Sequence, residues 1–250
     1  MDKKEERHAR LIHLLKTEGK LPVRTLANIL AVSEMTIRRD LTELKALSGI
    51  ESDIDSSATN ADYNLLTSLQ KSYQQKSEIG KLAASLVKPN DFIIVDTGST
   101  TARMLQYLPE DYNLSVLCFN TNILVELRYK TGIKLFFCGG TYHRSTEMFE
   151  CPESIQFINR MRANKVFLSA AGVHKELGIT CEYDYEIPTK RAIIQSSLER
   201  ILLVDSSKFD QIKPSYFCDL SDINVIVTDR GLSYKWQEHI KEKKIKLFLV

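Results

Sequence analysis

Beyond residue 90 the chain is punctuated by seven short apolar runs, at residues 92–95, 115–119, 134–138, 165–169, 201–204, 225–228 and 246–250. Several are continuously apolar rather than alternating, as expected for strands buried on both faces of a parallel sheet. Helical patterns separate them, beginning at residues 75–87. Strands that alternate with helices form parallel units, so this part of the chain predicts an α/β domain. No repeat of fixed period is present, which argues against a solenoid.

The first fifty residues read differently. Leu11, Ile12, Leu14 and Leu15 give one apolar stripe before Gly19, and Val23, Leu26, Ile29 and Leu30 give a second, short helix after Pro22. Ser33 is placed to accept a hydrogen bond from the Thr36 N–H and so to open a third helix, whose apolar positions are Ile37, Leu41, Leu44 and Leu47. With that face turned inward, Met35, Arg39 and Thr42 oppose it and Thr36 and Arg38 flank it. A helix that packs on one face and offers arginines on the other can enter a DNA major groove and contact bases or phosphates. Periodicity alone equally allows an amphipathic helix of a small bundle, its arginines solvated or paired with Asp40 and Glu43.

At 250 residues, one small and one larger domain would use up the chain. Composition thins to Ser, Asp, Asn, Thr and Ala from about residue 51 to residue 64, too few large apolar residues for a core. The division expected is 1–56 for the helical domain, 57–74 for a linker and 75–250 for the α/β domain. Residues 1–50 hold ten Lys and Arg against seven Asp and Glu, whereas the rest hold 24 against 25. The basic excess sits at the N-terminus, which permits nucleic-acid binding without requiring it. No apolar run approaches the ~20 residues of a membrane-spanning helix, and the N-terminus opens with charge rather than a secretory signal, so a cytoplasmic protein is expected. The five cysteines are odd in number and lack a C-x-x-C pair, which suits free thiols; no metal and no cofactor are expected.

Two turns follow strand candidates. Asp96-Thr97-Gly98-Ser99-Thr100-Thr101 combines a glycine with hydroxyls at a helix start, a suitable cradle for phosphate, though Ser99 or Thr100 could simply cap the helix. Gly139-Gly140-Thr141, followed by His143 and Arg144, is either a plain tight turn or a second wall of the same pocket. Both lie beyond the carboxyl ends of predicted parallel strands, where open α/β sheets bind ligands. Glu186 and Lys190, four apart on a helix, fit an ion pair or a pocket role equally. His174, near a strand end, is either a ligand contact or a partly exposed polar residue.

The string Val32-Ser33-x2-Thr36-Ile37-Arg38-Arg39-Asp40-Leu41, with Gly19-x-Leu21-x-Val23 and Leu26-Ala27-x-Ile29-Leu30 before it, closely resembles the DNA-binding domain of the DeoR family of sugar-responsive bacterial regulators. The likeness continues through Lys76-x2-Ile79-Gly80, Val95-Asp96-Thr97-Gly98-Ser99-Thr100-Thr101, Gly139-Gly140, Glu186-x3-Lys190-Arg191-Ala192 and Asp205-Ser206-Ser207-Lys208. It implies a small winged helix-turn-helix joined to a parallel-sheet α/β domain similar in fold to ribose-5-phosphate isomerase. It further implies operator DNA as partner of Arg24, Ser33, Glu34, Met35, Thr36, Arg38, Arg39 and Thr42. A phosphorylated sugar would meet Asp96, Gly98, Ser99, Thr100, Thr101, Gly139, Gly140, Arg144, Glu186, Lys190 and Lys208. Three segments depart from the family pattern, one of them near Cys151-Pro152, where the family commonly has a glycine. The wing at residues 49–55 has lost its basic tip, and Gly172-Val173-His174 stands where the family commonly has Gly-Ile-Asp.

Two functions are compatible with these residues: a repressor whose operator affinity is set by a sugar phosphate, or an isomerase using the same sheet. No paired carboxylates follow Gly172, where an isomerase of this fold would offer them, so no catalytic residue is expected. A regulator that has lost its ligand response is a third possibility. Operator symmetry usually mirrors protein symmetry, so a homo-oligomer, dimer or tetramer, is expected.

Overall fold

The computed structural model describes residues 7, 8, 10, 11, 23–30, 32, 33, 36, 37, 40 and 73–250. The chain divides into two compact units, Met1–Ala61 and Asp62–Val250.

In the first unit, helix α1 (Val23–Leu30) buries Leu26 and Ala27 against Leu11 and Ile37, with Leu30 and Val32 packed alongside. Ser33 Oγ accepts from the Thr36 N–H at 3.1 Å, and the Ile37 N–H bonds Ser33 O at 3.1 Å, so the third helix opens on the cap its sequence predicts. Asp40 is buried and accepts two bonds from Arg7, Nε at 2.5 Å and Nη2 at 3.1 Å, while His8 Nε2 lies 3.2 Å away. The Arg7 fork holds the Asp40 carboxyl below the usual carboxylate range, against the opposing effect of burial. Glu34, Met35, Arg38, Arg39, Thr42 and the wing at 49–55 lie outside the described residues, as does the Arg24 side chain.

The second unit is built on a seven-stranded sheet. Its strands are β1 (Phe92–Val95), β2 (Leu114–Cys118), β3 (Ile133–Phe137), β6 (Ala163–Leu168), β9 (Ser197–Leu203), β11 (Val225–Thr228) and β12 (Lys246–Leu249), in the order β12-β11-β9-β6-β1-β2-β3. Every neighbouring pair is parallel. All seven predicted runs are strands of this sheet. The largest displacement is at β9, which begins four residues early. There Ser197, Glu199 and Arg200 continue the ladder with β6 although their side chains carry no apolar signal.

Burial on both faces explains the continuous apolar runs. Ile93, Val95, Val116, Phe167, Ile201, Leu203, Val225 and Val227 face one way, packing on α2 (Tyr73–Ser85) through Ile79, Ala83 and Ala84, and on α4 (Thr121–Leu127) through Ile123 and Leu127. Their neighbours Ile94, Leu117, Val166, Leu168, Leu202 and Ile226 face the other way. These meet α5 (Pro152–Arg160), α6 (Ile187–Gln195) and α7 (Tyr234–Glu242) through Ile158, Ala192, Ile193, Trp236 and Ile240. Alternation along each strand thus feeds two cores, one on each side of the sheet.

Two small antiparallel sheets complete the unit: the hairpin β4–β5 (Thr141–His143 and Met148–Glu150), and β10-β8-β7 (Ser215–Cys218, Gly178–Cys181, Gly172–His174). Their three- and four-residue strands are too short to show a period in sequence. The chain runs from β1 through β2 to β3, then returns to the other side of β1 as β6. The direction of winding reverses between β1 and β6, and a crevice opens there beyond their carboxyl ends.

Candidate functional site

The loop after β1 fills that crevice. Gly98 has φ +152°, and a Cβ there would meet Ser169 Oγ at 2.5 Å, so only glycine fits between the two strand ends. Hydroxyls brace the loop from behind: Thr101 Oγ1 donates to Asp96 O at 2.9 Å and Gly98 O at 3.0 Å, and Thr97 Oγ1 to Thr146 O at 3.1 Å. Ser169 Oγ donates to Thr97 O. With the loop so fixed, Gly98, Ser99 and Thr100 line a cleft. Short α3 (Ser99–Ala102) begins at its wall.

Three lysines reach this cleft from separate elements. Lys76 comes from α2, is buried, and donates to Ser99 Oγ at 2.9 Å. Lys208 comes from the turn after β9, where Asp205 caps through the Ser207 N–H at 3.1 Å and Asp229 accepts from Ser206 N at 2.6 Å and Oγ at 2.8 Å. Burial opposes the Asp229 charge, but the donors of Ser206 and Gly231 outweigh it and hold its carboxyl low.

Lys190, the third, has 1% of its surface exposed. Its Nζ donates to Asp96 Oδ2 at 2.6 Å and Ser169 O at 3.2 Å, lies 3.8 Å from Glu186 Oε2, and faces the Phe217 ring at 5.0 Å. Burial disfavours the ammonium, yet Asp96 and Glu186 more than offset it and raise the Lys190 pKa above the ordinary lysine range. For Glu186 burial wins: its carboxyl is pushed up, and Lys190 draws it back only in part. Glu186 and Lys190, for which the sequence leaves open an ion pair or a pocket role, pair with each other and both line the cleft.

Of the predicted ligand residues, Gly98, Ser99, Thr100, Glu186, Lys190 and Lys208 line this cleft, and Asp96 and Thr101 support it from behind. Gly139, Gly140 and Arg144 are not among its lining residues. Gly140, at φ +133°, packs where a Cβ would meet Glu150 O at 2.3 Å, and Ser154 Oγ donates to Gly139 O at 2.7 Å, so this turn serves the β4–β5 hairpin and the start of α5. His174 also stays outside the lining. Its Nδ1 accepts from the Glu176 N–H at 3.3 Å and the Leu177 N–H at 3.2 Å, which holds a turn.

Sequence reasoning gave no role to Lys76, Thr146, Ser169, Cys181 or Glu182, all of which line the cleft. Lys76 sits on an otherwise ordinary helix 23 residues before Ser99. Burial pushes the Cys181 thiol up to about 12, which keeps it protonated. Beside the cleft, His143 stacks on Tyr185 at 3.7 Å between ring centres, and Tyr185 on Tyr183 at 5.1 Å. Tyr185 OH bonds the hydroxyls of Ser145 and Thr146, both at 3.1 Å, tying the β4–β5 turn to the segment that carries Glu186.

Chemically, three ammonium groups and several hydroxyls around a loop of backbone donors suit an anion that also carries hydroxyls. Among the described residues no group of His, Cys, Asp and Glu has the arrangement of a metal site.

Comparison with known proteins places both units. The family model described as DeoR C terminal sensor domain matches residues 71–230, and that described as DeoR-like helix-turn-helix domain matches residues 7–51. The chain is 33% identical to the deoxyribose operon repressor of Escherichia coli (strain K12) over 98% of each chain. It is 27% identical to transcriptional repressor AccR of Agrobacterium fabrum, over 98% of this chain and 97% of that one. Among solved structures, ribose 5-phosphate isomerase A of Methanocaldococcus jannaschii matches at a TM-score of 0.38 and 16% identity, covering 55% of this chain and 54% of that one.

Proposed function

The chain belongs to the DeoR family of DNA-binding transcriptional regulators, and we propose that it represses genes of sugar metabolism under the control of a phosphorylated sugar held in the β1–β6 cleft. The observation that carries the effector class is the convergence of Lys76, Lys190 and Lys208 with the hydroxyls of Ser99 and Thr100 on one loop. A phosphate takes the Gly98–Thr100 side, where backbone donors, Ser99 and Lys76 meet. Glu182 and Glu186 accept from sugar hydroxyls.

Residues 1–56 serve as the reading head, 57–74 as the connection and 75–250 as the sensor. Arg38 and Arg39 enter the major groove, with Arg24, Ser33, Glu34, Met35, Thr36 and Thr42 around them. Supporting this, Asp40 is already committed to Arg7 and His8, which removes one acid with which the two arginines could pair. The protein acts as a homo-oligomer in the cytoplasm, as a dimer or tetramer, since a symmetric operator calls for a symmetric reader. Among the described residues no helix is long and apolar enough to cross a membrane.

An isomerase needs a free carboxylate base at the reacting carbon. Asp96 and Glu186 both lie against the Lys190 ammonium, and Glu182 pairs with Lys213 at 3.3 Å, which suits binding rather than proton abstraction. The test is a titration of the full-length protein against DNA from upstream of its own operon, at fixed salt, with and without a panel of aldose and ketose phosphates. We expect specific binding that one phosphate of the panel releases. Binding without sequence preference would overturn the assignment.

A further inference from the structure

Asn120 lies between β2 and α4, is fully buried, and neither end of its amide has a hydrogen-bond partner among the described residues. It occupies the N-cap position of α4, where an asparagine ordinarily accepts from a backbone N–H of the first turn, yet it makes no such bond. Asn122 beside it has an equally unpartnered amide. A buried amide left unsatisfied carries the full desolvation cost of its polar atoms, and a leucine of similar shape would not. No described residue bonds this amide, which leaves a donor and an acceptor for a partner from outside.

The position points to that partner. β1 and β2 pair up to Ile94 and Leu117; Thr97, three residues beyond the first, lines the cleft, and Asn120 lies three residues beyond the second. The β4–β5 turn crosses here. Thr97 Oγ1 donates to Thr146 O at 3.1 Å, the Thr121 N–H bonds Glu147 O at 3.0 Å, and Asn120 forms an isolated bridge with Met148. Thr97 and, from this turn, Thr146 both line the cleft.

We propose that Asn120 is a specificity-determining residue of the cleft, whose amide bonds a hydroxyl or carbonyl oxygen of the ligand once the β4–β5 turn gives way. The proposal rests on the reading of the cleft as a sugar-phosphate site. An amide offers a donor and an acceptor side by side, which matches a hydroxyl that must both give and receive, whereas the lysines of the cleft only donate. A site that bonds a hydroxyl in this way rejects analogues lacking it far more strongly than an apolar wall can. Lys76 and Ser99 hold the phosphate, and Asn120 reads the sugar.

Calorimetric titration and thermal unfolding of the full-length wild type, Asn120→Leu and Asn120→Ala would test this. The probes are inorganic phosphate, ribose 5-phosphate, 2-deoxyribose 5-phosphate, fructose 1-phosphate and glucose 6-phosphate. The expected result for Asn120→Leu is a ligand-free Tm equal to or above that of the wild type, unchanged phosphate affinity, and a loss of about tenfold or more for the preferred sugar phosphate. Asn120→Ala, which cannot overfill the site, should show the same split between phosphate and sugar phosphate even if the leucine variant does not fold. Unchanged sugar-phosphate affinity in either variant overturns the proposal. So does a parallel loss of Tm, phosphate and sugar-phosphate binding in both, which would mark Asn120 as structural. Should no sugar phosphate bind the wild type, the reading of the cleft falls first and this assignment with it.

Discussion

Lys190 places one positive charge between two carboxylates, all three side chains being almost fully buried. Such a group does more by being present than by the net strength of its pairs, because its loss leaves like charges facing one another without a counter-ion. Lys190→Met, nearly the same in volume, is therefore expected to destabilise the sensor unit by about 3–5 kcal/mol in urea unfolding. It should also abolish the thermal shift given by the preferred sugar phosphate. A variant that kept its stability would show that Asp96 and Glu186 do not depend on the ammonium. The sequence made Glu186 and Lys190 visible through their spacing of four. Asp96, 94 residues before Lys190, could be read only as part of a turn motif, and Lys76 only as part of a family motif without a role, because neither spacing nor local pattern links α2 to the loop after β1.

The elements of the first unit are small, and its described core is four apolar residues with two more at its edge. A core of that size makes a long-range ion pair count for more than it would in a large domain. Arg7 bridges 33 residues to Asp40 and so fastens the first helical segment to the third. Removing it with Arg7→Ala is expected to cost about 1.5–3 kcal/mol, as for hydrogen bonds to a charged group. Faster hydrogen exchange across Val23–Leu30 is the readout. The pH dependence follows from the direction of the Asp40 shift. Its folded-state pKa is depressed, so the pair contributes its full stability above the unfolded carboxylate value of about 3.9 and loses it as pH falls through the depressed folded value. Asp40→Asn should flatten that acid-side loss in the exchange of these amides. An unchanged acid response in the variant would assign it to other carboxylates.

At the scale of the whole molecule, regulation requires that two sites in separate units exchange free energy. Coupling of this kind is reciprocal: if a sugar phosphate weakens operator binding by some factor, the operator weakens sugar-phosphate binding by the same factor. Measuring the sugar-phosphate Kd with and without saturating operator, at one salt concentration, should return the factor found from the DNA side. A mismatch would place the ligand's action outside a simple equilibrium between two conformations. Much of this molecule was determined by sequence alone: the seven strands, the presence of helices between them and the Ser33 cap. These depend on period, burial and caps, which are properties of neighbours along the chain. Tertiary structure decided what distant neighbours do. It assembled the cleft at the reversal between β1 and β6, brought Lys76, Asp96, Ser169 and Lys190 together, left Gly139 and Gly140 to a hairpin turn, and enclosed Asn120 without a partner. The order in which parallel strands lie side by side is set by the packing of the whole sheet, and no local run of residues records it.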